Sequence, residues 1–445
     1  MIDVLKHTIF ARLFGAQVIA LLGTGLLTVA LGLLAFDLAG DKAGAVLGTA
    51  FAIKMIAYVG LAPISAAIVD KLPRKAVLIC ADLVRAGIVI FLPFVSSIWQ
   101  IYVLIFVLQV ASATFTPAFQ SIIPDILSDE KDYTKALSLS RLAYDLENLI
   151  SPMLAGILLT LMNFHWLFGG TIVGFIASAV LVSVTSIPAA TQSHINRTFI
   201  DKLTRGIRIY LATPRLRGLL ALNFTAAAVG AFILVNTVMI VRVGYGATET
   251  QVAYALAAFG GGSMLAALAL PRMLEIMPDR IVMIWAAIII ASLTIVHAVY
   301  IVFGGLPPWG MLLFVWAASG VLYSAILTPS GRLLKHSAHT VDRPAIFVAQ
   351  FSLSHVCWLV TYPIAGWAGL VFGLPITMAI LGIMALISAG FATLVWPAND
   401  TKEVFHDHPE LSLDHPHLER YQGEGKHHSH VFVIDDEHRI WPTHG

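Results

Sequence analysis

The chain has 445 residues, 58% of them hydrophobic and only 12% charged. Soluble domains carry about 25% charged residues, so an ordinary water-soluble globule is excluded. A formal net charge of +1 supplies no field to gather nucleic acid or an acidic partner. Cys80 and Cys357, the two cysteines, both lie inside apolar runs, which excludes a disulfide framework.

A bilayer span needs roughly 20 mostly apolar residues. Runs of that length, parted by charged or Pro/Gly breaks, predict about twelve spans: 10–36, 44–69, 76–96, 99–124, 137–161, 165–187, 216–242, 250–271, 281–304, 309–334, 345–371 and 374–396. The first follows Lys6, His7 and Arg12 and is too long for a cleavable signal core, so it reads as a retained span. The expected fold class is an all-α polytopic membrane protein in the cell inner membrane.

Alternate loops separate by charge. One set holds Lys71, Arg74 and Lys75, then Lys131 and Lys135, the basic run from Arg197 to Arg217, Arg272 and Arg280, and finally Arg332, Lys335 and Arg343. The opposite set holds little beyond Lys42 and Arg242. Lys and Arg stay on the cytoplasmic side of short loops, which predicts both termini in the cytoplasm.

A weak internal repeat runs through the chain. Pro73-Arg74-Lys75 is echoed by Pro278-Asp279-Arg280, Thr116-Pro117 by Thr328-Pro329, and Pro152 by Pro363, all at nearly one offset. Six spans plus six is the simplest account. It divides the chain into a first bundle (1–187), a connector (188–215), a second bundle (216–397) and a tail (398–445). The connector mixes charged and apolar residues, which predicts an interfacial helix within it.

The loop after the second span reads Ala66-x-x-x-Asp70-Lys71-x-Pro73-Arg74-Lys75. It resembles the Gly-x-x-x-Asp-Arg-x-Gly-Arg-Arg signature of the major facilitator superfamily, with both glycines replaced. The following Ala81-Asp82-Leu83-Val84-Arg85-Ala86-Gly87 is similar to the drug:proton antiporter branch, which includes macrolide and siderophore exporters. The resemblance implies twelve helices in two six-helix halves, transport by alternating access and no enzymatic activity. It also implies a gating role for Asp70, beside Arg74 and Lys75; Asp82 and Arg85, nearer the cytoplasmic face, are expected to staple the gate. The antiporter glycine motif of the fifth span is reduced to Pro152 and Gly156.

An ionisable residue at mid-bilayer costs roughly 2.5–3.5 kcal/mol on insertion scales, which makes each one a functional candidate. Lys54 sits mid-span; Arg141, Asp145 and Asn148 share a helical face in the fifth span, with Glu147 alongside. Two readings stand. The charges neutralise one another and fix packing, or Asp145 or Glu147 takes up the coupling proton with Lys54 as charge partner. Polar candidates for the cavity are Gln17, Gln109, Asn223, Asn236, Gln350 and His355. His355 and Cys357, two residues apart, fall on different helical faces, so a packing histidine is the plainer reading.

Composition changes abruptly at Asp400. Nine of the 16 histidines follow: His406, His408, His415, His417, His427, His428, His430, His438 and His444, interleaved with Asp and Glu. Imidazole with carboxylate suits borderline divalent ions, so the first seven are candidate metal ligands, set against a merely solvated tail. No fixed zinc spacing is present, which predicts a flexible chelating tail, and the apolar stretch around Val431–Trp441 is expected to dock on the cytoplasmic face. A twelve-span facilitator with such a terminus resembles the nickel-resistance exporters of bacteria.

The leading expectation is a proton-coupled exporter of a divalent metal, nickel or cobalt. The alternative is efflux of drugs, siderophores or other amphipathic compounds, and the single central lysine suits these better than a bare cation. A third reading is a non-transporting sensor or lipid-handling protein on the same scaffold. The partners expected are the transported solute, protons and the bilayer, with no nucleic acid. No cofactor is expected beyond a divalent metal on the tail, and no Walker-type signature appears.

Overall fold

The computed structural model describes residues 2–69, 72–127, 129–187, 199–339, 342–398, 403–407 and 427–435, together with His438 and Trp441. In chain order the helices are α1 (Thr8–Ala39), α2 (Ala43–Val69), α3 (Arg74–Phe91), α4 (Ile98–Ile126), α5 (Glu130–Leu159) and α6 (His165–Ser183). The connector helix α7 (Phe199–Ala212) leads into α8 (Pro214–Met239), α9 (Glu249–Ile276) and α10 (Asp279–Gly304). Then come α11 (Trp309–Leu327), α12 (Ser330–His336), α13 (Arg343–Pro363), α14 (Gly369–Phe372) and α15 (Leu374–Val395). Two tail strands, β1 (Glu403–Asp407) and β2 (His427–Val431), pair antiparallel.

Every expected span coincides with a helix. Among the described residues, ten stretches are long and apolar enough to cross a membrane, one of which, Thr8–Gly60, runs through both α1 and α2. Two expected spans are broken rather than continuous. The tenth splits into α11 and α12 at Thr328-Pro329, and the eleventh passes through a π-helical turn at Ile364–Ala368 just after Pro363. Proline removes a backbone donor, so the ladder must loosen there. The fifth helix starts at Glu130, ahead of the expected 137.

Helix ends follow local chemistry. Ser97 and Thr248 form capping boxes with Gln100 and Gln251, whose side chains accept from the Ser97 and Thr248 backbone N–H at 3.0 and 2.9 Å. Gly305 closes α10 with φ +76°, a left-handed conformation that a side chain would strain. Large apolar side chains such as Phe303, Phe314, Ile387 and Leu394 are exposed, as lipid contact requires, while Trp99 and Trp166 sit exposed at the same end of the bundle, where an interfacial belt would lie.

The first half packs α1 on α5 and α6, and α3 on α4 and α6; the second packs α9 on α11, and α15 on α8 and α10. The halves meet along α2–α13 and α5–α9. At the end carrying the α1–α2 turn they touch backbone to backbone. A Cβ on Gly48 would lie 2.6 Å from the Tyr362 carbonyl, and one on Gly366 would lie 2.5 Å from the Gly44 carbonyl. Only glycine permits that approach. Nearby, Trp367 Nε1 donates to Thr49 Oγ1 at 3.0 Å, and Gly156 packs on Ala253. This end is sealed.

Candidate functional site: the seam between the halves

The α2–α13 seam brings a cation and several aromatic rings together. Lys54 lies on α2, and one helical turn on its ammonium stands 5.8 Å from the Tyr58 ring centroid. Tyr58 crosses to the other half, where its ring lies 5.6 Å from Phe351 and 5.0 Å from His355 on α13. His355 Nδ1 is 2.6 Å from the Phe351 carbonyl, a bond back onto its own helix that fixes the ring's tilt. The aromatic wall continues toward the sealed end: Trp358 on Tyr362 at 4.9 Å, and Tyr362 on Phe51 at 4.9 Å. Lys54, Tyr58, Phe351 and His355 are all half-buried. A surface of this kind binds flat or amphipathic organic groups through ring contact plus one cation.

The other cavity candidates divide. Gln17 and Gln109 are buried in the first half. Asn223 donates to the Leu219 carbonyl of its own helix at 2.8 Å, while Asn236 donates to the Ala365 carbonyl at 3.0 Å and so ties α8 to the π-helical turn. Gln350 is buried and accepts from the Tyr210 hydroxyl of α7. Gln17 and Gln109 each keep a buried side-chain oxygen without a hydrogen-bond partner; Lys54 and His355 are the candidates that the structure brings to one place.

Arg141, Asp145, Glu147 and Asn148 lie on α5, but their side chains are outside the described residues, as is Asp70 altogether. The basic pair flanks the start of α3: Arg74 is half-buried, and Lys75 donates to the Thr185 carbonyl at 2.9 Å, closing the loop onto the end of α6. Asp82 and Arg85 pair with each other inside the first half, Asp82 fully buried. The Arg85 guanidinium is held between the rings of Phe115 and Phe175, 4.6 and 4.5 Å from their centroids. The pair thus lies among α3, α4 and α6, away from the seam.

Several anchors were not foreseen. Arg205 of α7 makes a two-pronged bond to Asp342 at 2.7 and 3.1 Å, both buried, which clips the connector helix to the start of α13. Its signal in sequence was weak, one arginine among several in a basic run. Tyr58 and Phe351 carried a readable signal, since each stands one helical turn from a candidate.

In the tail, His408, His415 and His417 fall outside the described residues, while His406, His427, His428 and His430 sit on the hairpin strands. Among the side chains described, no group of three His, Cys, Asp or Glu residues stands ready to hold a metal. The apolar stretch docks at one end of the second half. Phe432, Val433 and Ile434 are buried, Arg215 lies 5.3 Å over the Trp441 ring, and Asp435 sits between His438 at 2.9 Å and His339 at 3.3 Å.

Comparison with known proteins agrees with this architecture. The family model described as Major Facilitator Superfamily matches residues 13–246. The MFS-type transporter YfiS of Bacillus subtilis is 27% identical over 265 residues, 57% of this chain and 62% of the relative. Macrolide efflux protein A of Streptococcus pyogenes is 23% identical over 209 residues, 45% of this chain and 50% of that protein. The matches thus span about half to three-fifths of these relatives. Among solved structures, the nucleoside transporter NupG superposes with TM-score 0.67 at 13% identity, covering 87% of this chain and all of that one. A bacterial homologue of the lysosomal transporter Spinster also gives 0.67 at 13% identity, over 87% and 96%. The chain is a multi-pass membrane protein that belongs to the major facilitator superfamily.

Proposed function

We propose that the chain exports small neutral or anionic amphipathic organic compounds from the cytoplasm across the inner membrane, driven by protons and by alternating access. The observation that carries this reading is the seam, with the Lys54 ammonium beside the Tyr58, Phe351 and His355 rings. Charge weighs against a bare metal as cargo at this point. At an effective dielectric of about 20, an ammonium repels a monovalent cation about 5 Å away by roughly 3 kcal/mol, and a divalent one by about twice that. The likeness to a macrolide efflux protein supports an organic cargo. Two halves at 1–187 and 216–397, the connector between them, cytoplasmic termini, and proton uptake by Asp145 or Glu147 belong to the same reading.

Efflux of fluorescent organic probes from inverted vesicles under a pH gradient tests it. Tyr58→Ala should slow efflux between about twofold and tenfold, the worth of one ring contact. Lys54→Met should weaken anionic probes while sparing neutral ones, and Glu147→Gln with Asp145→Asn should uncouple efflux from the gradient. Nickel or cobalt efflux that persists in Tyr58→Ala, with no organic probe moved, would return the metal reading. Transport of neither class would leave the sensor reading standing.

A further inference from the structure

One hydrogen bond fixes which nitrogen of His355 can change its proton. A carbonyl oxygen only accepts, so the 2.6 Å contact with the Phe351 carbonyl puts a proton on Nδ1. Nε2 is then the nitrogen that gains or loses one, and imidazole is the side chain whose ordinary titration falls between about pH 5 and 8. The ring is flanked by Phe351 of its own helix at 4.1 Å and by Tyr58 of α2 at 5.0 Å, and the Lys54 ammonium stands by that same Tyr58 ring. The other charged and titratable groups around α13 are directed elsewhere. From α7, Tyr210 bonds to Gln350 and Arg205 to Asp342; Arg215 of α8 lies over Trp441, and Arg332 of α12 pairs with Asp279. Cys357 sets its Sγ 4.0 Å from the Leu220 carbonyl of α8.

We infer that His355 is a specificity-determining residue of the seam, and that a proton gained at Nε2 turns the seam into a site for aromatic carboxylates. The inference rests on the seam being where the organic solute binds. With the imidazole neutral, the Lys54 ammonium and the rings serve neutral and anionic compounds alike. With the imidazole protonated, the new cation lies beside two rings whose π-systems attract it. An ammonium from the first half and an imidazolium from the second then flank one carboxylate through charge-assisted hydrogen bonds, while the solute's ring lies against Tyr58 and Phe351. Such a solute bridges the two halves. A unit charge within about 7 Å is worth more than about tenfold in affinity at an effective dielectric of about 20.

The test is binding of naphthoate and of its uncharged amide, naphthamide, to the purified full-length protein in lipid nanodiscs. Titration calorimetry would be run at intervals from about pH 8 down to about pH 5.5. An ordinary carboxylic acid stays ionised across that window and an ordinary lysine stays charged, so the imidazole is the group that changes. Naphthoate should bind at least about tenfold more tightly at the acid end, and naphthamide equally at both ends. In His355→Gln the naphthoate slope should vanish while both compounds still bind, weakened by no more than about tenfold at every pH, the worth of one ring contact. Lys54→Met should weaken naphthoate at every pH and keep the slope. A slope that persists in His355→Gln, or flat naphthoate binding in the unaltered protein, would overturn the role of His355 and leave the organic site in place. Binding of neither compound at any pH would remove the solute site itself, and this inference with it.

Discussion

At the scale of single residues, the cost of burying charge governs what each position can do. Asp82 and Arg85 are paired, capped by Phe115 and Phe175, and shut away from solvent. Removing one member of a buried pair strands the other, at about 3–5 kcal/mol. Arg85→Ala and Asp82→Ala should therefore each lower the thermal midpoint of the detergent-purified protein sharply. Arg85→Lys should recover part of the loss, since it keeps the charge but not the planar group that both rings grip. A midpoint unchanged in Arg85→Ala would show that the pair contributes nothing. The i,i+3 spacing of this pair was legible in sequence. Its lids were not, because they arrive from α4 and α6, and neither position announces a cation partner.

Asp435 in the tail behaves differently. Burial pulls its carboxyl upward, but bonds from His339 and His438 outweigh that and hold it well below the usual carboxylate range. A depressed folded value means the stabilisation is fully present above the undocked pKa, about 3.9, and fades only as pH falls below it. Protonation of Asp435 itself should therefore leave tail docking unchanged from pH 5 upward. Asp435→Asn should release the tail at every pH in that range, read as faster hydrogen exchange across Phe432–Ile434. Protection unchanged in Asp435→Asn would remove this contact from the docking account.

At the scale of elements, the seam is defined by what its helices lack. α2 and α13 approach backbone to backbone because Gly44, Gly48 and Gly366 carry no side chains there. Gly48→Leu cannot be housed without parting the halves, so the sealed end should open. Labelling of a cysteine placed at Thr49 by a membrane-impermeant thiol reagent should rise severalfold, and gradient-driven efflux should fall. Normal efflux with an unlabelled Thr49→Cys site would contradict the seal. Span positions were legible because bilayer thickness dictates run length. The α2–α13 partnership was not, because nothing local in Tyr58 specifies Phe351 from the opposite half. A helix within the connector was legible, but its anchorage through Arg205 to Asp342 needs the folded second half.

At the scale of the whole molecule, two six-helix halves share one seam, sealed at the end that carries the α1–α2 turn. The transport proposed above requires that this seal and its counterpart at the opposite end form alternately. The most direct test is a pair of spin-label distances on a background without Cys80 and Cys357. One pair would join Asp41 and Phe372 at the sealed end; the other would join Leu72 and Lys335 at the far end, all exposed positions. On imposing a proton gradient with a transported probe present, the Asp41–Phe372 distance should lengthen as the Leu72–Lys335 distance shortens. Distances that stay fixed, or that lengthen together, would contradict a pathway opened to one side at a time.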